Sequence, residues 1–169
     1  MAGYTDIRDD ELHAWLARYD IGGLHALKGI AEGVENSNYL LSTDAGLFIL
    51  TLYEKRVARE DLPFFLGLME HLAARGINCP RPVPMRSGEM LGTLAGRPAA
   101  IVTYLDGVSV RRPTPRHCRQ VGEVLAAMHL AGTDFALRRP NALSLSGWPP
   151  LFARCAARAD EVEPGLRDL

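Results

Sequence analysis

Apolar positions along the chain fall first into a helical pattern. Leu12, Trp15, Leu16 and Tyr19 follow i, i+3, i+4, i+7 spacing, and Asp9, Asp10 and Glu11 precede them where a helix dipole favours acids. Gly22-Gly23 predicts the end of this helix. Three strand-like runs follow, at about Ala26–Ala31, Asn38–Ser42 and Leu47–Tyr53. Between the last two, Thr43-Asp44-Ala45-Gly46 is turn chemistry that closes a hairpin. A second apolar stripe, Phe65, Leu68, Met69 and Leu72, predicts a helix from Leu62 to Arg75. Asp61 is its expected cap, Pro63 fits its first turn, and Gly76 supplies a left-handed stop. The alternating prolines of Cys79-Pro-Arg-Pro-Val-Pro84 force an extended path. Two further strands are expected near Glu89–Leu94 and Pro98–Leu105, joined through Ala95-Gly96.

After Asp106-Gly107 the pattern becomes helical. Thr114 reads as a cap, Pro115 as the first helical residue, and Val121, Val124, Leu125 and Met128 as the apolar face of a helix ending at Gly132. Arg138 to Pro150 reads as loop, and Leu151–Arg158 as another helix. The fold class is therefore α+β. Residues 1–105 are expected to form a lobe of antiparallel sheet with a leading helix and a crossover helix. Residues 106–169 are expected to hold a hinge and the beginning of a helical lobe.

Composition removes several classes of function. The 169 residues are 47% hydrophobic and 23% charged, as in an ordinary globular protein. The net charge of −1 gives no electrostatic support for bulk nucleic-acid binding. Arg111, Arg112, Arg116 and Arg119 read as a solvated start to a helix. Met1–Asp10 has no apolar stretch of the signal-peptide kind, and no run approaches the ~18 apolar residues of a membrane span. Cys79, Cys118 and Cys155 are odd in number and widely spaced, which fits reduced thiols and a cytoplasmic location. The five histidines stand singly, without zinc-ligand spacing, so no metal site is expected from the residues alone.

The stretch with most chemical content is Gly29-Ile-Ala-Glu-Gly33-Val-Glu-Asn36-Ser37-Asn38, a polar, glycine-bounded loop between two strands. Such a loop exposes backbone N–H groups and small polar side chains, and can cover a phosphate chain. It can equally be a plain connection. The element order is that of a protein-kinase-like small lobe, five antiparallel strands with a crossover helix, and the start of the large lobe. Gly29–Tyr39, Phe48-Ile-Leu-Thr-Leu-Tyr-Glu54, Glu60-Asp-Leu-Pro-Phe-Phe-Leu66, Ile101-Val-Thr-Tyr-Leu-Asp-Gly107 and Leu125-Ala-Ala-Met-His-Leu-Ala131 together resemble bacterial homoserine kinases of the aminoglycoside-phosphotransferase and choline-kinase fold.

The resemblance implies ATP-dependent phosphorylation of the L-homoserine hydroxyl, in threonine biosynthesis, with ATP and Mg as cofactors. It implies that Gly33, Asn36, Ser37 and Asn38 lie over the phosphates, and that Thr103, Tyr104 and Leu105 form the hinge that meets the adenine edge. Glu60, Asp61 or Glu70 would pair with a phosphate-binding cation. Kinase-like third strands usually carry that cation, but Thr51 stands there, and by its residue type alone reads as a β-branched strand former. Lys28, Lys55 and Arg56 are the candidate replacements. Arg139 and Asn141 resemble a family segment near the acceptor site, or else form a surface loop.

The family's catalytic loop, roughly His-Gly-Asp-x-x-x-x-Asn, has no counterpart between Met1 and Leu169, so no catalytic residue and no metal ligand is assigned. The reading is of the amino-terminal part of a longer kinase, inactive alone. The alternatives are another small-molecule kinase of the same fold, of choline or aminoglycoside type, and a non-catalytic nucleotide-binding or interaction module.

Overall fold

The structure, a computed structural model, describes residues 5–31, 35–54, 57–141 and 143–168. It separates into two compact units, Met1–Leu137 and Arg138–Leu169.

The first unit opens with α1 (Asp9–Leu16), whose Leu12, Trp15 and Leu16 are buried as its spacing requires. The helix ends well before Gly22-Gly23. Arg18 and Tyr19 tighten its last turn by donating to the carbonyls of Trp15 and Leu16, which releases Tyr19 to bridge Met85. Gly22 instead serves a crowded turn with φ +75°, where a Cβ would lie 2.6 Å from Asp44.

Five strands form one sheet: β1 (Leu24–Ile30), β2 (Asn36–Thr43), β3 (Gly46–Tyr53), β4 (Gly92–Leu94) and β5 (Arg97–Thr103). Their order is β1-β2-β3-β5-β4, and every pairing is antiparallel. One sheet face carries Tyr39, Leu41, Leu50, Leu52, Ala99 and Ile101, packed with α1 residues and Met85 into the core. Trp15 and Tyr19 meet there with ring centroids 4.8 Å apart. Leu41, Leu50, Leu52 and Ile101 have no exposed surface, so the centre of the sheet is the most securely fixed part of the chain.

Expected β4 shrinks to three residues because Glu89 is engaged elsewhere. Its carbonyl accepts from the Met85 N–H at 2.8 Å around Gly88, which has φ +89°. The β4–β5 turn places Ala95 and Gly96 both at positive φ, as a tight hairpin of this hand requires. The proline-rich segment is extended as expected. It lies against β5, with Val83 donating to the Ile101 carbonyl and Thr103 donating to the Arg81 carbonyl, each at 2.9 Å.

α2 (Leu62–Ala74) carries Pro63 in its first turn and stops at Gly76, φ +81°. Ile77 donates back to the Leu72 carbonyl at 3.1 Å, a left-handed cap of the expected kind. The Asp61 cap is corrected: a 3-10 turn at Arg59–Asp61 leads into the helix, so Asp61 is already helical in backbone and makes no side-chain cap bond. The buried stripe is also shifted, to Leu62, Leu66 and Leu72, with Phe65, Leu68 and Met69 half-buried.

α3 (Pro115–Ala131) begins at Thr114, whose backbone N–H donates to Nδ1 of His117. None of its residues is buried, and Val121, Val124 and Leu125 are about half or more exposed along the predicted apolar face. Its end is fastened to α2. His71 donates from Nε2 to the Ala131 carbonyl at 2.9 Å, and Arg75 pairs with Asp134 at 2.5 Å. Phe135 packs edge-on against Phe64 and His71.

The second unit holds α4 (Trp148–Ala156) and two 3-10 turns, Ala159–Glu161 and Leu166–Asp168. α4 starts three residues earlier than expected. Pro149 and Pro150 fit its first turn, where a missing N–H costs nothing.

Candidate functional site

The face of the sheet opposite α1 brings the candidate residues together. Registers place Lys28 opposite Leu40, Leu40 opposite Ile49, and Ile49 opposite Val102, so these four form one row across β1, β2, β3 and β5. Leu40, Ile49 and Val102 are half-buried apolar residues in the middle of it. They make a flat apolar platform of the kind that accepts a planar ring. The next row, one pleat along, is Ile30, Asn38, Thr51 and Ala100. Its centre is polar: the Thr51 hydroxyl donates to Oδ1 of Asn38 at 2.9 Å. Lys28, on the exposed side of β1, stands diagonal to Asn38 on this face. Diagonal neighbours are roughly 7–8 Å apart at Cα, within reach of a lysine side chain.

At the end of the platform β5 runs out into the expected hinge. Thr103 pairs with Phe48, and its hydroxyl accepts from the Arg81 N–H at 2.9 Å. The Tyr104 N–H reaches the Leu47 carbonyl at 3.4 Å, a long and weak bond. Tyr104 and Leu105 are both more than one third exposed, and the Leu105 N–H has no partner among the described residues. A donor edge is thus available beside the apolar row.

Other predicted positions do not converge here. β2 alternation turns the Ser37 side chain to the α1 side, where it is 2% exposed and donates to Oε1 of Glu54 at 2.9 Å. Asn36 is on the same face as Asn38, yet its Oδ1 accepts from the Glu54 N–H at 3.4 Å. Glu60 is exposed and makes no ion pair among the described residues. Glu70 is also exposed, and Asp61 is half-buried at the start of α2. Arg139 is half-buried in the second unit, and Asn141 closes a local turn by accepting from the Leu143 N–H at 3.0 Å. Gly33, Lys55 and Arg56 lie outside the described residues.

No group of three or more His, Cys, Asp and Glu side chains could hold a metal ion among the described residues. Among the described residues, no helix is long and apolar enough to cross a membrane. A hollow of about 600 Å³, lined by Phe152, Cys155, Val162 and Leu166 among others, lies in the second unit and includes no candidate residue.

A family model described as APH, the phosphotransferase enzyme family, matches residues 26–168. The chain belongs to this phosphotransferase family. Homoserine kinases of Rhodopseudomonas palustris (strain TIE-1) and Rhizobium rhizogenes are 68% and 61% identical to it, each over 99% of this chain. The chain spans about half the length of these curated relatives, 51% and 52%. Among solved structures, a spectinomycin phosphotransferase in complex with ADP and spectinomycin superposes with TM-score 0.58 at 13% identity, covering 92% of this chain and 55% of that one. An aminoglycoside phosphotransferase from Alicyclobacillus acidocaldarius gives TM-score 0.51 at 16% identity, covering 85% and 41%. The expected kinase-like α+β fold and the resemblance to homoserine kinases are both borne out.

Within this phosphotransferase chain, two features escaped the sequence reading. The platform of Leu40, Ile49 and Val102 differs from the core face only in exposure, which period-two alternation does not report. The other is Glu54, which sits at the end of β3 and gathers several groups. It accepts from the hydroxyls of Thr5 and Ser37 and pairs with Arg97 at 3.0 Å. The Thr5 N–H in turn donates to Ser37 at 3.1 Å. A carboxylate following a strand is ordinary in sequence, so only the fold identifies this one.

Proposed function

We propose that this chain is the nucleotide-binding part of a homoserine kinase, which transfers the γ-phosphoryl group of ATP to the hydroxyl of L-homoserine. The observation that carries the reading is the 61–68% identity to homoserine kinases over nearly the whole chain. The ADP held by the structural neighbour of the same fold agrees with nucleotide use. In this reading residues 1–105 are the nucleotide lobe, and 106–169 are the hinge and the first part of the helical lobe.

The base would stack on Leu40, Ile49 and Val102, with its edge toward Tyr104 and Leu105. The phosphate chain would run over Asn38 and under the loop that contains Gly33, with Lys28 near by. Bound ATP would supply the phosphoryl group, and Mg2+ would neutralise much of the charge on its phosphates. This chain's part is to position and desolvate the nucleotide. The general base and the metal ligands would come from the remainder of a full-length protein, as would most contacts to the amino acid. Arg139 and Asn141 are candidates for the acceptor side.

The test is ADP release by the full-length gene product with L-homoserine, choline and an aminoglycoside compared side by side. Turnover with L-homoserine at least a hundredfold above the other two is expected. Preference for either of the others would overturn the acceptor assignment, and ATP binding without turnover on any acceptor would favour a non-catalytic module.

A further inference from the structure

The strand-three position where kinase-like folds place a phosphate-binding cation holds Thr51. Read as a strand former, Thr51 needs no hydroxyl, and valine would serve equally. Its hydroxyl is nevertheless engaged, with Oγ1 donating to Oδ1 of Asn38 at 2.9 Å. Thr51 and Asn38 are direct cross-strand partners, half-buried on the face opposite the α1 core. A carboxamide is planar, so fixing Oδ1 against Thr51 turns the NH2 group, with its two donors, to the far side. The flanking members of the row, Ile30 and Ala100, are apolar and offer that group no acceptor.

We propose that Thr51 is a positioning residue that aims the Asn38 amide donors at the phosphate chain of the nucleotide. A neutral donor pair thereby stands where related folds use a cation. This inference rests on the nucleotide-binding reading above. Two polar residues held by one bond, with no charge in their row, do for geometry what a lysine does by charge. They leave the bulk of charge neutralisation to the metal and to cations elsewhere, Lys28 being the near one.

The test uses full-length protein and compares Thr51→Val, Thr51→Ser, Asn38→Ala and Asn38→Asp. Binding of ATP, ADP and adenosine is measured by calorimetry, alongside KM for ATP and kcat. Thr51→Val keeps strand propensity and volume while removing the hydroxyl. It should weaken ATP and ADP roughly tenfold, the loss expected for one oriented hydrogen bond to a charged group. Thr51→Ser should stay within about twofold of the parent, since its hydroxyl can still donate. Asn38→Ala should match Thr51→Val, and Asn38→Asp should be weaker than both because it sets a carboxylate against phosphate. Adenosine binding should be unchanged within about twofold in all four, because a purely structural role would weaken all three ligands alike.

Parent-like ATP affinity in Thr51→Val, or an equal loss for adenosine and ATP, overturns the inference and leaves the nucleotide reading intact. Absence of ATP binding by the unaltered protein overturns both. Should Thr51→Val fail to fold, Thr51→Ala, which also removes the hydroxyl, decides the same question through the same contrast between ATP and adenosine.

Discussion

Tyr19→Phe should stabilise the first unit. Tyr19 is 2% exposed in the α1-side core, yet its hydroxyl has no hydrogen-bond partner among the described residues. A buried, unsatisfied hydroxyl costs about 1–3 kcal/mol, and burial pushes the Tyr19 phenol well above its usual range. Phenylalanine keeps the ring and its contact with Trp15 at 4.8 Å. The small void left by one oxygen subtracts only a few tenths of a kcal/mol. A net gain of about 1–2 kcal/mol is therefore expected in urea denaturation at pH 7.

The gain should widen above pH 10. There the unfolded tyrosine loses its proton while the folded one keeps it. The parent then loses about 1.4 kcal/mol per pH unit through this residue, and the variant does not. Tyr53 is raised in the same direction by burial and lowers alkaline stability in both proteins, so the difference between them isolates Tyr19. A loss of stability at pH 7, or parallel alkaline slopes, would refute the reasoning and show that the hydroxyl is satisfied.

Three further outcomes are expected. Glu54→Ala should cost about 2 kcal/mol in the same assay, because it removes the shared acceptor of Ser37 and Thr5. The Arg97 pairing adds little, since that side chain is more than one third exposed; a loss under about 0.5 kcal/mol would mean that the cluster is redundant. The Asp44 carboxyl is held below its usual range by the Gly23 N–H first and by His25 second, each bond being 2.6 Å. Its stabilisation is present above the ordinary carboxylate value near 4 and fades as pH falls through the lower folded value, so Asp44→Asn should flatten melting temperature against pH below about 4. The α3 face is exposed at Val121, Val124 and Leu125 (66%, 54% and 49%), so this chain alone should self-associate and Leu125→Glu should reduce it. A monodisperse monomer at high concentration by sizing with light scattering would contradict that.

Much of the fold was legible because local and tertiary demands agree. The α1 spacing, the hairpin turn before Gly46 and the Gly76 stop each act over one turn of chain, and each appears where the residues place it. Misplaced boundaries trace to contacts from elsewhere in the chain or to adjoining backbone geometry. α1 ends early because Tyr19 joins Met85, and Asp61 does not cap because a 3-10 turn precedes it. The candidate site was legible in part. Alternation predicts that Asn38 and Ser37 face opposite ways, yet the glycine-bounded loop invites reading them together. Only the sheet shows Ser37 committed to Glu54. Thr51 was the harder case, because a residue that suits a strand gives no sign in sequence that its hydroxyl is used.

The fastening of α2 to the end of α3 constrains how the protein can move. From Tyr104 to Thr114 the chain has no helix or strand, and by itself such a tether would let α3 swivel in any direction. The second fastening, at His71–Ala131 and Arg75–Asp134, lies at the far end of that helix. A door hung at one point can twist freely, whereas one hung at two can only swing about the line between them. Any swing of α3 about its entry at Thr114 therefore strains the second fastening and pulls on α2.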